Sequence, residues 1–186
     1  MSSYKEGQVH MLVEELEREG WTGDDLTKFG QFKDKKSLRA VILGHAKIEM
    51  VKHLIDCSAD PYLPNNWKVV EHRRTGQLEW DPTKIFPYLS DQQKEGGVIR
   101  GLKLREELKG KPVLNANVLD YLLAHPELIP EDWKDKAVFF WGTIYRDSDG
   151  RLCVRYLIWD DGRWNRRYHW LDNGWNASSP AALSLA

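Results

Sequence analysis

His45, Glu49, His53 and Cys57 fall at four-residue intervals, and each is a residue type that can bind a transition metal. On one continuous helix such spacing puts neighbours nearly on one face, with a drift of about forty degrees per step. Two or three of them could then reach one ion. Against that stand Gly44, which reads as a helix stop just before His45, and the absence of the His-Glu-x-x-His order of zinc proteases. A solvated or packed helix face is the simpler explanation of the pattern, and no metal or cofactor is predicted.

The same stretch holds a candidate nucleophile. Cys57 with His53, and Asp56 beside them, could form the activated thiol of a small hydrolase, provided the sulfur is exposed and its pKa lowered. Asp56 and Asp60 could share acid/base work, although carboxylates around a small-residue turn usually cap it. His72, in the run Glu71-His72-Arg73-Arg74, completes the catalytic candidates; opposite Glu79 on a hairpin it would more simply form a cross-strand charge pair.

The richest stretch is Leu157–Trp175, LIWDDGRWNRRYHWLDNGW, with four tryptophans and three arginines. If Asp161-Gly162 forms a two-residue turn, Asp160 faces Arg163 and every pair behind is fixed. Trp159 meets Trp164, Leu157 meets Arg166, Arg155 meets Tyr168 and Cys153 meets Trp170, all on one face, with Phe140 and Ile144 beside them. The opposite face carries Leu152, Val154, Tyr156 and Ile158 against Asn165, Arg167, His169 and Leu171. Phe139, Trp141 and Tyr145 join it if Asp147–Gly150 closes without a bulge, and this is the face expected to meet the core. An aromatic and guanidinium ladder can stabilise a sheet by itself, at about 0.5–1.5 kcal/mol per contact, or it can lie under a helical layer. Exposed, it would hold a planar or anionic partner through Arg155, Trp159, Trp164, Arg166, Tyr168 and Trp170.

The elements that must position these groups follow from periodicity. Val9, Leu12, Val13 and Leu16 make one helical stripe stopped by Gly20; Thr22 with Asp25 opens a second helix, and Asp34 a third carrying Leu38, Val41 and Ile42. Lys47–Asp56 fits either a helix or a strand through Ile48, Met50 and Leu54, and a helix is preferred. Trp67–His72 and Gln77–Trp80 read as a hairpin, Asp81-Pro82 as a helix start cut short by Pro87, and Leu102–Leu108 and Asn115–Ala124 as helices. From Ala137 the period becomes two: AVFFWGTIYR, RLCVRYLIW and RWNRRYHWL predict a three-stranded antiparallel meander.

Composition bounds the rest. The chain has 186 residues, nine tryptophans and a formal net charge of −1, which argues against disorder and gives no general attraction for nucleic acid. Five aspartates between Asp147 and Asp172 nearly cancel the six arginines from Arg146 to Arg167. Two distant cysteines suggest neither a disulfide framework nor a zinc ribbon. The start lacks the charged and apolar layout of a signal peptide, and no window suits a bilayer, so a cytoplasmic protein without membrane partner is expected. Phosphate-loop, dinucleotide and serine-hydrolase signatures are missing.

The runs PVLNANVLDYLLAHPELIPEDW and FFWGTIYRDSDGRLCVRYLIWDDGRW, with WKVVEH and GQLEWDP before them, resemble a recurring set of uncharacterised bacterial proteins. The likeness covers Ile55 to about Trp175. It implies a bacterial source and brings no activity, cofactor or site residue.

The expected fold is α+β in one compact domain, 1–186: a helical N-terminal part with a sub-lobe at 1–46, a main part at 47–175 containing a central hairpin, helices and the C-terminal meander, and a tail at 176–186. The expected function is non-catalytic recognition of a small molecule, glycan or protein through the ladder. A small hydrolase with a pocket between sheet and helices is the alternative, and a structural or homodimerisation module the third reading.

Overall fold

The computed structural model describes residues 5–49 and 51–185. The chain is mixed α+β and divides into two compact units, Met1–Val51 and Lys52–Ala186.

The first unit holds α1 (Glu6–Arg18), α2 (Gly23–Gln31) and α3 (Lys35–Ile42), where the apolar stripes predict helices. Thr22 and Asp25 close a reciprocal cap: the Thr22 N–H donates to the Asp25 carboxylate at 2.9 Å and the Asp25 N–H to Thr22 Oγ1 at 3.3 Å. Asp34 accepts the Ser37 N–H at 3.1 Å and opens α3. None of the described residues in these helices is buried.

The second unit begins with β1 (Leu54–Asp56), β2 (Lys68–His72), β3 (Gln77–Glu79) and, after a 3₁₀ turn at Pro82–Lys84, β4 (Ile85–Tyr88). There follow α4 (Asp91–Lys94), β5 (Ile99–Arg100), α5 (Gly101–Glu107) and α6 (Ala116–Ala124), then 3₁₀ turns at Pro126–Leu128 and Glu131–Trp133. The chain ends with β6 (Val138–Phe139), β7 (Thr143–Arg146), β8 (Leu152–Asp160), β9 (Arg163–Trp170), β10 (Gly174–Trp175) and β11 (Ala181–Ser184).

A seven-stranded, mostly antiparallel sheet runs β2-β7-β8-β6-β11-β4, with β9 on the other edge of β8. Among the described residues only the β6–β11 pair is parallel. The nine-residue β8 organises it: one edge serves β7 at Leu152 and Cys153 and β6 at Tyr156 and Leu157, while β9 lines the other along eight pairs. Asp161 and Gly162 both have positive φ, 52° and 72°, the geometry of a type I′ turn whose twist suits two antiparallel strands. The pairs Trp159–Trp164, Leu157–Arg166, Arg155–Tyr168 and Cys153–Trp170 are those that turn dictates.

Four expectations are corrected. Residues 47–56 hold no helix among those described; Leu54–Asp56 pairs instead with β3, while Met50 lies outside the described residues. The 67–80 hairpin does not form either, because β2 pairs with β7 and β3 with β1. The 137–146 strand is broken at Phe140–Gly142. There the Gly142 N–H donates to the Leu114 carbonyl at 2.8 Å, and a Cβ at Gly142 would stand 2.9 Å from Asn115, so the backbone turns against the start of α6. Finally, residues 181–184 of the expected tail form β11, between β6 and β4.

A fifth difference concerns the faces. Five residues, Asp147–Arg151, connect Arg146 to its partner Leu152, so Tyr145 pairs with Cys153 and lies on the face of Cys153 and Arg155. Both faces of β8 are covered. Leu157 packs with Leu119, Leu122 and Phe140 beneath α6, while Val154 packs with Ile99, Leu104, Ile144 and Trp175 on the α5 side. Strands buried on both sides read as near-continuous apolar runs, and CVRYLI shows one interruption, Arg155.

Candidate functional site

Arg155 is 3% exposed. Its guanidinium donates two bonds to Asp120 on α6, at 2.9 and 2.5 Å, and approaches the Tyr145 hydroxyl at 3.4 Å. Burial pulls the Arg155 pKa down, but the Asp120 bonds and charge together outweigh it and leave the group above its usual value. Burial likewise pushes the Tyr145 phenol up. Arg166, one strand over, donates to the same Asp120 at 3.2 Å. Both guanidinium groups lie over the Tyr62 ring, at 4.3 Å for Arg166 and 5.4 Å for Arg155. One carboxylate thus serves two guanidinium groups, and Arg166 remains nearly half exposed.

The segment carrying Tyr62 is fastened to the start of α6. Asn115 caps the helix and donates its amide to the Cys57 and Arg73 carbonyls, at 2.8 and 2.9 Å. Asn117 donates to the Asp56 and Ala59 carbonyls, at 2.8 and 2.9 Å. The Tyr145 hydroxyl donates to the Tyr62 carbonyl at 3.2 Å.

Two cavities flank the Tyr62–Arg166 stack. The smaller, about 190 Å³, is lined by Tyr62, Pro64, Trp67, Arg155, Arg166, Arg167 and Tyr168. Trp67 meets Tyr168 edge to face at 4.8 Å. Its charged lining is entirely basic. The larger, about 440 Å³, lies toward Asp56, Asp60, Asn117, Asp120 and Tyr121.

The six ladder residues fall into two neighbourhoods, one running from the small cavity through Tyr168 to Trp170, whose rings meet edge to face at 5.4 Å, and one at the hairpin tip. Arg155, Arg166 and Tyr168 meet at the small cavity. Trp159 and Trp164 pair near the hairpin tip at 5.4 Å, with the Lys134 ammonium over Trp159. Trp170 donates its indole N–H to Asp147 at 2.7 Å and carries Arg151 on its ring, which holds the Asp147 carboxyl below its usual range.

The catalytic candidates are engaged otherwise. Cys57 is 2% exposed and burial raises its pKa, the reverse of an activated thiol; burial pushes Cys153 up to about 12. His53 bonds to the Tyr121 hydroxyl at 3.0 Å, and Asp56 accepts the Ser58 and Ala59 N–H groups of its own turn. Asp60 pairs with Arg74. His72 approaches Thr143 Oγ1 with Nδ1 at 2.8 Å and the Ala59 carbonyl with Nε2 at 3.1 Å. A carbonyl only accepts, so Nε2 carries the proton, and Nδ1 accepts from a hydroxyl that itself accepts the Ala116 N–H at 3.0 Å. For His45, Glu49, His53 and Cys57 the positioning helix is missing: Gly44 ends α3 with φ +74°, and Cys57 follows β1. Among the described residues no group of three or more His, Cys, Asp or Glu side chains is placed to hold a metal.

No family model, curated protein or solved structure matches the chain. No helix among the described residues is long and apolar enough to cross a membrane.

Sequence reasoning missed Tyr62, Trp67, Asp120 and Tyr145. Asp120 did leave a signal, as a lone charge inside the apolar run Val118–Leu123 facing Arg155, the lone charge of the run Cys153–Ile158.

Proposed function

We propose that the protein is a non-catalytic recognition module that holds a planar, anionic group in the cleft formed by Tyr62, Trp67, Arg166 and Tyr168. The observation that carries this reading is the state of Arg166. One N–H is committed to Asp120, its central carbon sits over the Tyr62 ring, and nearly half of its side chain still faces solvent. A guanidinium fixed that way keeps donors for a carboxylate or phosphate in the fork geometry both anions match. Trp67 and Tyr168 supply flat walls, and Arg155, buried and bonded to Asp120 and Tyr145, sets the position of the clamp. Trp159 and Trp164 lie at the hairpin tip and contribute to the sheet rather than to the ligand, while Trp170 backs the Tyr168 wall edge to face at 5.4 Å without lining the cavity.

The test is calorimetric titration with a panel of small ligands that differ in charge and planarity: an aromatic carboxylate, a nucleoside monophosphate, a uronic acid and their neutral counterparts. The reading expects binding of planar anions over neutral analogues, weakened in Trp67→Ala. Equal affinity for charged and neutral members would overturn it.

A further inference from the structure

One titratable side chain lies between the two halves of the cleft. The bulge between Val69 and Glu71 sets the register of β2 so that His72 stands directly across from Thr143 of β7. On one side its Nε2–H donates to the Ala59 carbonyl, three residues before Tyr62. On the other, its Nδ1 accepts from the Thr143 hydroxyl, whose oxygen accepts the N–H of Ala116, the first residue of α6. Asp120, one turn further along α6, holds Arg166. Tyr62 and Arg166 are therefore linked through His72 as well as by their own stack.

The neutral ring is the form that fits both contacts. A second proton, on Nδ1, makes both nitrogens donors. The Thr143 oxygen would then accept twice, from Nδ1 and from Ala116, and its own hydrogen would turn away from His72 in a buried place. The charges facing the ring nearly cancel. Arg74, just beyond the end of β2, opposes a second cation, and Asp60 of the turn, which favours one, is itself paired with Arg74. Thr143 of β7 and Ala116 of α6 bring no charge, and neither does the Cys57 thiol, which burial keeps protonated. Burial disfavours the charged ring further.

We infer that His72 is a pH-sensitive joint of the cleft: neutral, it holds the Tyr62 segment to the start of α6 in the arrangement that seats Arg166 over Tyr62, and protonated, it releases the Thr143 side of that arrangement. Nε2 keeps its proton in both forms, and Asn117 also donates to the Ala59 carbonyl, so the change is a loosening of α6 against the segment and not its detachment. Protonation then weakens anion binding, opposite in sign to what an added positive charge does by attraction alone. The effect on affinity rests on the cleft proposed above; the joint itself does not.

The test uses the full chain in two arms. Without ligand, the His72 ring and the backbone amides of Ala116 and Asp120 are followed by nuclear magnetic resonance from about pH 8 to about pH 5. Both amides are expected to shift with the midpoint of the ring, and amides that stay still while the ring titrates would overturn the joint. In the second arm, affinity for an aromatic carboxylate that stays ionised throughout is measured at about pH 7.5 and about pH 5.5 on wild type and His72→Gln. Wild type should bind about two- to fourfold more weakly at the lower pH. Glutamine offers a donor to Ala59 and an acceptor to Thr143 without a titrating proton, so the His72→Gln profile should be flat. Affinity that rises on acidification, or falls equally in both proteins, would also overturn the inference. Absence of binding at either pH would contradict the reading of the cleft instead, and the ligand-free arm would still decide the joint.

Discussion

Asp120 on α6 holds the buried Arg155 of β8 by two hydrogen bonds, at 2.9 and 2.5 Å, and so ties the helix over the sheet at the one charged position of an otherwise apolar strand face. Removing one partner of such a pair costs far more than the pair contributes, because the other charge is left in the interior. Asp120→Ala is therefore expected to lower unfolding stability by about 3–5 kcal/mol, read from denaturant midpoints. Asp120→Leu combined with Arg155→Met should recover most of that loss, since neither charge then remains buried.

His72 gives a pH dependence of definite sign. Burial is the main cause that lowers its folded-state pKa below the usual value near 6.5. Between the two values the unfolded chain binds more protons, so this contribution is fully present above about pH 6.5 and is lost as pH falls through the folded-state pKa. Urea midpoints measured at about pH 7.5 and about pH 5.5 should fall more in wild type than in His72→Gln. Equal slopes would mean that His72 titrates alike in both states.

At the hairpin tip, Gly162 has φ +72°. Gly162→Ala forces a side chain into the left-handed region at a cost of about 1–2 kcal/mol, and thermal unfolding should show the loss. Asp161→Asn, at φ 52°, should be nearly neutral because asparagine tolerates that region.

Gly101 opens α5 directly beneath Trp175. A Cβ there would stand far inside the Trp175 ring and 2.8 Å from the Leu171 carbonyl oxygen. Gly101→Ala is expected to destabilise by about 1–3 kcal/mol or more, whereas Gly110→Asn, in open space at φ +76°, should cost little.

How far the sequence could be read depended on whether the deciding interaction was local. The Asp161-Gly162 turn, the Thr22 and Asn115 caps and the apolar stripes of α1, α5 and α6 are local, and the structure carries each of them. The fate of β2 and β3 is not local: each is short, and its partner lies 21 to 78 residues away in the chain. The four-step spacing of His45, Glu49, His53 and Cys57 counted for nothing once the helix was absent. The ladder's register followed from its turn, but which of its members meet solvent depended on α6, and only the pairing of Asp120 with Arg155 explains why the cleft is built around Arg166.

The most direct test of the recognition reading is equilibrium binding of a planar anion to wild type, Arg166→Gln and Arg151→Gln. Arg151 also lies over an indole, that of Trp170, but outside the cleft. Arg166→Gln should weaken binding by about tenfold or more with the fold intact, and Arg151→Gln should bind as wild type does. Equal affinity in all three proteins would contradict the account.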